Sequence, residues 1–310
     1  MAPVETDNWV SKTQSIANDI RVRVIELTLQ NDGCYLSQAL SSADILATLY
    51  DKTMRLEPLD APLDAPKFVG VPGAKGGSSP SGGRFHGKQT SESDRFLISP
   101  AHYAVAIYAA LEAVGRLREG ALKTFNQDGS TLEMIGAEHS PGFELTTGSF
   151  GQALSQSAGI AFSRKLRGDT GRTFVFVSDG ELEEGQTWEG VQASAMYGLD
   201  NLYMLVDVNG QQVDGLTKDI MNIEPIDARF EAFGWNVARV DGHDIAAIDR
   251  AIEELGAQSG PSVILCDTNS AQGISYLDKY KPNLHYVRPK SSEDSEALRQ
   301  AIKDLKKVTN

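Results

Sequence analysis

The sequence predicts an α/β fold, an open and mostly parallel sheet flanked by helices. Residues 173–177 and 202–206 are short apolar runs of the kind that form buried strands, and the acidic, helix-forming stretch between them closes at Gly198. Two strands joined through a helix make a βαβ unit, so they should run parallel with a right-handed crossover. Ligands on such sheets sit beyond the carboxyl ends of the strands. Asp179 and Asn209, thirty positions apart, each lie just past one of these ends. Parallel neighbours bring them to one point. A carboxylate, an amide oxygen and nearby main-chain carbonyls form a hard oxygen set suited to Mg2+ or Ca2+ and not to zinc.

A chain of 310 residues can bury a large core. We expect one domain over 1–310, with an insertion at about 57–93 and a C-terminal helix at about 291–307. No apolar run approaches the roughly 20 residues that span a bilayer, and MAPVETDNW lacks the basic and apolar regions of a signal peptide. The two cysteines, Cys34 and Cys266, cannot make a disulfide framework, which fits reduced thiols and a cytoplasmic location. A net charge of −13 argues against a nucleic-acid partner. It leaves room for a phosphorylated ligand, because a bound cation and helix N-termini can outweigh the global field.

In chain order, residues 8–29 carry Ile16, Ile20, Val24 and Leu27 at helical spacing, and Asn31-Asp32-Gly33 ends that helix by turn chemistry. A second helix should run from Ser42, as N-cap, to Met54. The stretch 57–93 is rich in proline, glycine and serine without period, cannot build a core of its own, and reads as a long surface loop with His86 at the surface. It is either a flap at a site mouth or a simple insertion. A short strand over 94–98 meets a helix over 103–118 at His102. The Gly-punctuated turn around Thr147-Gly148-Ser149-Phe150-Gly151 feeds a helix over 151–166, where free backbone N–H groups can meet an anion. Glu181 and Glu183 read as acids complementing a helix dipole. Further strand–helix units cover 235–240 with 245–255 and 262–267, with His243 a structural hydrogen-bonding residue between them.

The wording DGELEEGQ, WEG, YGLDNL and NGQQVDG, with an Asp-Gly followed about thirty residues on by an Asn at a strand end, resembles the thiamine diphosphate signature of the transketolase family, specifically its N-terminal, diphosphate-binding half. The resemblance runs over about 18–289. It implies the diphosphate-binding (PP-type) fold, with Asp179, Asn209 and the Gln211 carbonyl holding Mg2+ (Ca2+ as substitute) against thiamine diphosphate. It places Gly148, Ser149, Phe150 and Gly180 against the cofactor and sends Glu184 toward a subunit interface. His102, His139 and His285 match the family's active-site histidines. Cys34 stands where the family has a substrate-facing histidine, so either substrate handling differs there or the thiol is simply packed.

Imidazoles titrate near neutral pH and suit proton transfer at sugar oxygens. The family's cofactor-protonating glutamate and pyrimidine-binding aromatics lie in a later domain, so the resemblance implies a split transketolase. A second polypeptide, carrying the pyrimidine-binding and C-terminal domains, would complete each site in an α2β2 assembly. The reaction would move a two-carbon ketol unit from a ketose to an aldehyde, and Cys34 with the glycine-rich stretch points to a non-standard acceptor. Two alternatives stand beside it. One is another thiamine diphosphate enzyme, of the 2-oxo-acid dehydrogenase E1 or deoxyxylulose phosphate synthase type, separable by assaying ketose against 2-oxo acid. The other is a non-catalytic cofactor-binding module. A dinucleotide fold is disfavoured, because no G-x-G-x-x-G follows an early strand.

Overall fold

The computed structural model describes residues 6–70 and 79–308. Helices α1 (Thr6–Gln30) and α2 (Leu36–Ala47) open the chain, followed by β1 (Arg95–Ile98), α3 (Ala104–Ala113) and α4 (Gln152–Arg167). The central unit is β2 (Thr173–Ser178), α5 (Gly185–Met196) and β3 (Leu202–Val208). A small hairpin of β4 (Gln211–Gln212) and β5 (Gly215–Leu216) leads to the short helices α6 (Thr217–Ile220) and α7 (Ile226–Ala232). Then come β6 (Asn236–Asp241), α8 (Ile245–Leu255), β7 (Ser262–Asp267) and α9 (Ser292–Val308).

Five strands form one sheet in the order β1-β2-β3-β7-β6, and every pairing is parallel. Side chains alternate across it, and each face is covered. Phe96, Phe174, Phe176, Leu205 and Ile264 pack toward the helices at the two chain ends and α8. Leu97, Val175, Val177, Met204 and Leu265 pack toward α4, α5 and α7. Burial on both faces is why β2, β3 and β7 read as unbroken apolar runs. The edge strand β6 is only partly buried and correspondingly mixed in sequence. None of the described helices is long and apolar enough to cross a membrane.

Two local expectations are corrected. The second helix begins six residues before Ser42, which lies inside α2 and turns its hydroxyl onto the Gln38 carbonyl 2.6 Å away. A serine inside a helix can bond back to the carbonyl four residues earlier instead of capping an end. The stretch 57–93 is not a loop lying on the surface throughout. Residues 71–78 fall outside the described set, but Phe85 is fully buried and His86 is 4% exposed. His86 bonds Tyr50 Oη at 2.9 Å and Glu144 at 3.1 Å, so it is a core residue beneath β1. Hydrogen bonding on both ring nitrogens makes a buried imidazole tolerable.

Glu144 also accepts from Arg95 Nε and, at 2.9 Å, from the Phe96 amide on the outer edge of β1. Burial pushes the Glu144 carboxyl up, but His86, Arg95 and the Phe96 amide outweigh it and hold the group below the usual carboxylate range. Immediately before β1, Asp94 accepts from the Arg55 amide at 2.9 Å, the Arg172 amide at 2.7 Å and the Arg172 guanidinium at 2.7 Å. Asp94 therefore ties the starts of β1 and β2 together.

Candidate functional site at the carboxyl edge of the sheet

Four strand ends converge on one side of the sheet. β1 runs into the turn Ala101–Tyr103, which presents His102 and Tyr103. β2 gives way at Asp179 to the turn Asp179–Glu183, and β3 ends one residue before Asn209. β7 is followed by Thr268, Asn269 and Ser270. A cleft of about 160 Å3 lies over these ends, with His102, Phe150, Glu184, Asn209, Gln211 and His285 among its walls. A second cleft of about 390 Å3 adjoins it, lined by Asp179, Thr217 and Lys281. The two share Asn209, Gln211 and Ser270, so together they can take an elongated ligand with the acid and the amide near their junction.

Asp179 is 1% exposed. It accepts from the amides of Gly180 at 2.9 Å and Gly210 at 2.8 Å, and from Thr217 Oγ1 at 3.3 Å. Burial first, and the nearby Asp207 second, push its carboxyl up to about 7 against those donors. Among the described residues no Lys, Arg or His pairs with either acid. A buried carboxylate beside a second one, with no cationic side chain, is a setting that a bound divalent cation stabilises. The Asn209 amide oxygen and main-chain carbonyls are the right donors for a hard ion. The residues present therefore fit the expected metal set.

Asn209 Oδ1 accepts from the Gln211 amide at 2.9 Å, and its Nδ2 lies 3.1 Å from Asp207 Oδ2. Ser178 stands next to Asp207 in the strand register, so the β2 and β3 ends are level. Glu181 is not a helix-dipole acid, because α5 starts only at Gly185. It is fully buried and accepts from Ser99 Oγ at 2.5 Å and the Gly151 amide at 2.9 Å. It thus fastens the end of β1 and the start of α4 to the β2 turn.

Among the sequence candidates, His102 and His285 come together, with ring centroids 4.9 Å apart. Gln38 Nε2 sits 3.3 Å from His285 Nδ1 and donates to the His285 carbonyl at 2.9 Å, which fixes the ring and leaves its proton on Nε2. Burial, and then His285, push the His102 imidazole down to about 3, and burial also lowers His285. Both rings are neutral at pH 7 and offer hydrogen bonds, not positive charge. Phe150 and the exposed Glu184 reach the cleft, whereas Gly148 and Ser149 lie outside its walls, on an exposed turn.

His139 is not brought to the cleft. It is buried under Phe68, with ring centroids 4.8 Å apart, and bonds Glu133 at 3.0 Å. Cys34 is fully buried, outside the cleft, and its backbone bridges to Val287. Burial pushes its thiol up to about 12, so it is a packed thiol and does not support an unusual acceptor. The Tyr35 ring stands beside His102 instead, at 5.2 Å. His243 is structural, joining Asp44 at 2.7 Å to the Asn269 amide at 2.9 Å. Sequence reasoning missed Asp207, Tyr103, Gln38 and Ser270. Asp207 alone gave a signal, an acid inside an otherwise apolar strand and two residues before Asn209, hence on the same face.

The depressed His102 value has a measurable consequence. Below an ordinary imidazole pKa of 6.5 the unfolded chain takes up a proton that the native site refuses. The stability His102 contributes is therefore complete above pH 6.5 and lost as pH falls toward about 3. Between pH 7 and pH 5 the loss should reach about 2 kcal/mol. Glu181, raised to about 7, acts in the opposite sense over part of that range, so the readout is the difference between wild type and His102→Asn in urea unfolding. Parallel stability–pH curves for the two would count against the neutral buried imidazole.

The fold is that of an α/β protein with a candidate ligand site at the carboxyl edge of a parallel sheet. The family model for the transketolase thiamine diphosphate binding domain matches residues 86–301, and the chain belongs to that family. It is 37% identical over 268 residues to an uncharacterised transketolase family protein, y4mO, of Sinorhizobium fredii, covering 86% of each. It is 31% identical over 290 residues to one of the subunits of apulose-4-phosphate transketolase from Actinobacillus succinogenes, covering 93% of this chain and 95% of that one. The crystal structure of Campylobacter jejuni transketolase matches with a TM-score of 0.75 at 23% identity, a likeness of fold. The match covers 93% of this chain and 42% of that one, so this chain spans less than half of the solved enzyme.

Proposed function

We propose that this chain is the diphosphate-binding subunit of a two-polypeptide transketolase, moving a two-carbon ketol unit from a ketose to an aldehyde. The observation that carries the proposal is the pair of Asp179 and Asn209 at level, adjacent strand ends, the acid buried without a cationic partner among the described residues, beneath a cleft walled by His102 and His285. Asp179, Asn209 and the Gln211 carbonyl would hold Mg2+, and with it the diphosphate of thiamine diphosphate. When bound, that cofactor supplies the carbon nucleophile and the electron sink that sugars and protein side chains lack. The chain's own part is to bind and orient. Glycine at 180 lets main chain come close, and Phe150 supplies apolar wall. His102 and His285, both neutral, hydrogen-bond substrate oxygens and hold or release a proton at a ring nitrogen.

Relatives of matching length named as subunits support a second polypeptide, which would supply the remaining wall of the cleft; the exposed Glu184 would reach toward it. The test is ketol transfer by the purified chain alone and after co-expression with a polypeptide carrying the complementary transketolase domains. Turnover is expected only for the pair, in a cytoplasm-like reducing buffer with Mg2+ and thiamine diphosphate. Robust transfer by this chain alone would refute the split, and a pair that Mg2+ and thiamine diphosphate fail to stabilise thermally would refute the cofactor assignment.

A further inference from the structure

A carboxamide presents an oxygen at one end and an NH2 at the other, and only the oxygen can meet a cation. Something must decide which end of Asn209 faces the cleft. Its Nδ2 donates to Asp207 Oδ2 at 3.1 Å and to the Tyr103 hydroxyl at 3.2 Å, while its Oδ1 accepts from the Gln211 amide. Turned over, the same side chain would set its oxygen against a carboxylate and its NH2 against an N–H, losing three good contacts for three repulsive ones. The Tyr103 hydroxyl has a single proton, given to Asp207 Oδ2 at 2.8 Å, so its oxygen is left to accept from Asn209.

Asp207 itself is fully buried. It accepts in addition from Ser41 Oγ at 2.6 Å and from Thr268 Oγ1, so hydroxyls and one amide satisfy it without a cation. Tyr103 is 1% exposed and reaches it from the turn after β1, across the end of β2, with its ring against Phe176 at 5.4 Å. The phenol thus links strand ends at the floor of the cleft, which it helps to line. Nothing in ring packing alone requires the hydroxyl.

We propose that Tyr103 and Asp207 are positioning residues that lock the Asn209 amide with its oxygen toward the cation site, so that divalent-ion affinity depends on a phenol hydroxyl engaged within the chain. The inference rests on the function proposed above, and makes Tyr103 a determinant of metal binding with no need to touch the metal.

The test is calorimetric titration of Mg2+ into the assembled enzyme at saturating thiamine diphosphate, for wild type, Tyr103→Phe and Asp207→Asn. Tyr103→Phe keeps the ring and its packing but removes a donor to Asp207 and an acceptor for Asn209. The Mg2+ dissociation constant should rise roughly 10–100-fold, as for other groups that orient a metal ligand. At saturating Mg2+ the kcat should fall less than about threefold by the same reasoning, because the correctly turned amide is then selected by the ion. Asp207→Asn should shift the constant in the same direction by a smaller factor, since a neutral amide oxygen replaces the carboxylate as acceptor for Ser41, Tyr103 and Asn209, and it decides the matter if the phenylalanine variant folds poorly. Wild-type affinity in both variants, with the unliganded melting temperature retained, would overturn the proposal. Wild type that itself binds no Mg2+ would overturn the underlying assignment of the site instead.

Discussion

Asp179→Asn, in the chain assembled with its partner, is expected to remove Mg2+-dependent cofactor binding while leaving the unliganded protein close to wild type in stability, because relief of a buried charge offsets one lost hydrogen bond. The side chain has nearly the same shape, and its one oxygen can keep the Gly210 amide and Thr217, while the Gly180 amide, held by the other carboxylate oxygen in wild type, loses its acceptor. What disappears is a negative charge that burial and the nearby Asp207 disfavour and that no cationic side chain among the described residues balances. Loss of groups that merely orient a metal ligand costs 10–100-fold in affinity. Loss of the only charged member of the proposed set should exceed about 100-fold. Wild type at a hundred times its dissociation constant gains about 2.7 kcal/mol from ligand, and the variant should show none of that thermal shift. Retained shift, or turnover within tenfold of wild type, would remove Asp179 from the metal set.

Asp94→Ala is expected to destabilise the chain by roughly 3–5 kcal/mol, the range for breaking a buried ion pair by deleting one partner. Asp94 is 3% exposed and leaves behind two main-chain amides and the Arg172 guanidinium, itself laid over Phe174 at 4.8 Å. For a chain of this size the loss corresponds to a fall in melting temperature of roughly 5–15 °C. Asp94→Asn keeps one acceptor and should lose less. A change under about 1 kcal/mol in urea unfolding would mean that the surrounding water replaces the carboxylate.

The central unit is legible because doubly buried strands leave an unmistakable apolar run: 173–177 and 202–206 lie within two residues of β2 and β3. Helices α8 and α9 are legible from amphipathic spacing. The strand ends that carry the site follow from those runs, and resemblance adds the histidines. What stays hidden is of another kind. His86 looks like a surface residue because its neighbours are glycine and serine, and only the distant Tyr50 and Glu144 make its burial tolerable. Cys34 and His139 can be aligned, but alignment does not say which way a side chain turns. Ser42 has the chemistry of a cap and a helix that begins earlier. For His86, Cys34 and His139 a deciding neighbour (Tyr50 and Glu144, Val287, Phe68) lies far away in the chain, where local pattern carries no information.

The carboxylate of Glu144 has a meaning for the whole sheet. An outer strand offers its main chain to any passing neighbour, and β1 is short and largely apolar. Because Glu144 occupies the Phe96 amide, a stranger's strand must first evict a charged side chain held by His86 and Arg95. The border is guarded by chemistry rather than by bulk, which disfavours strand-to-strand addition along this margin.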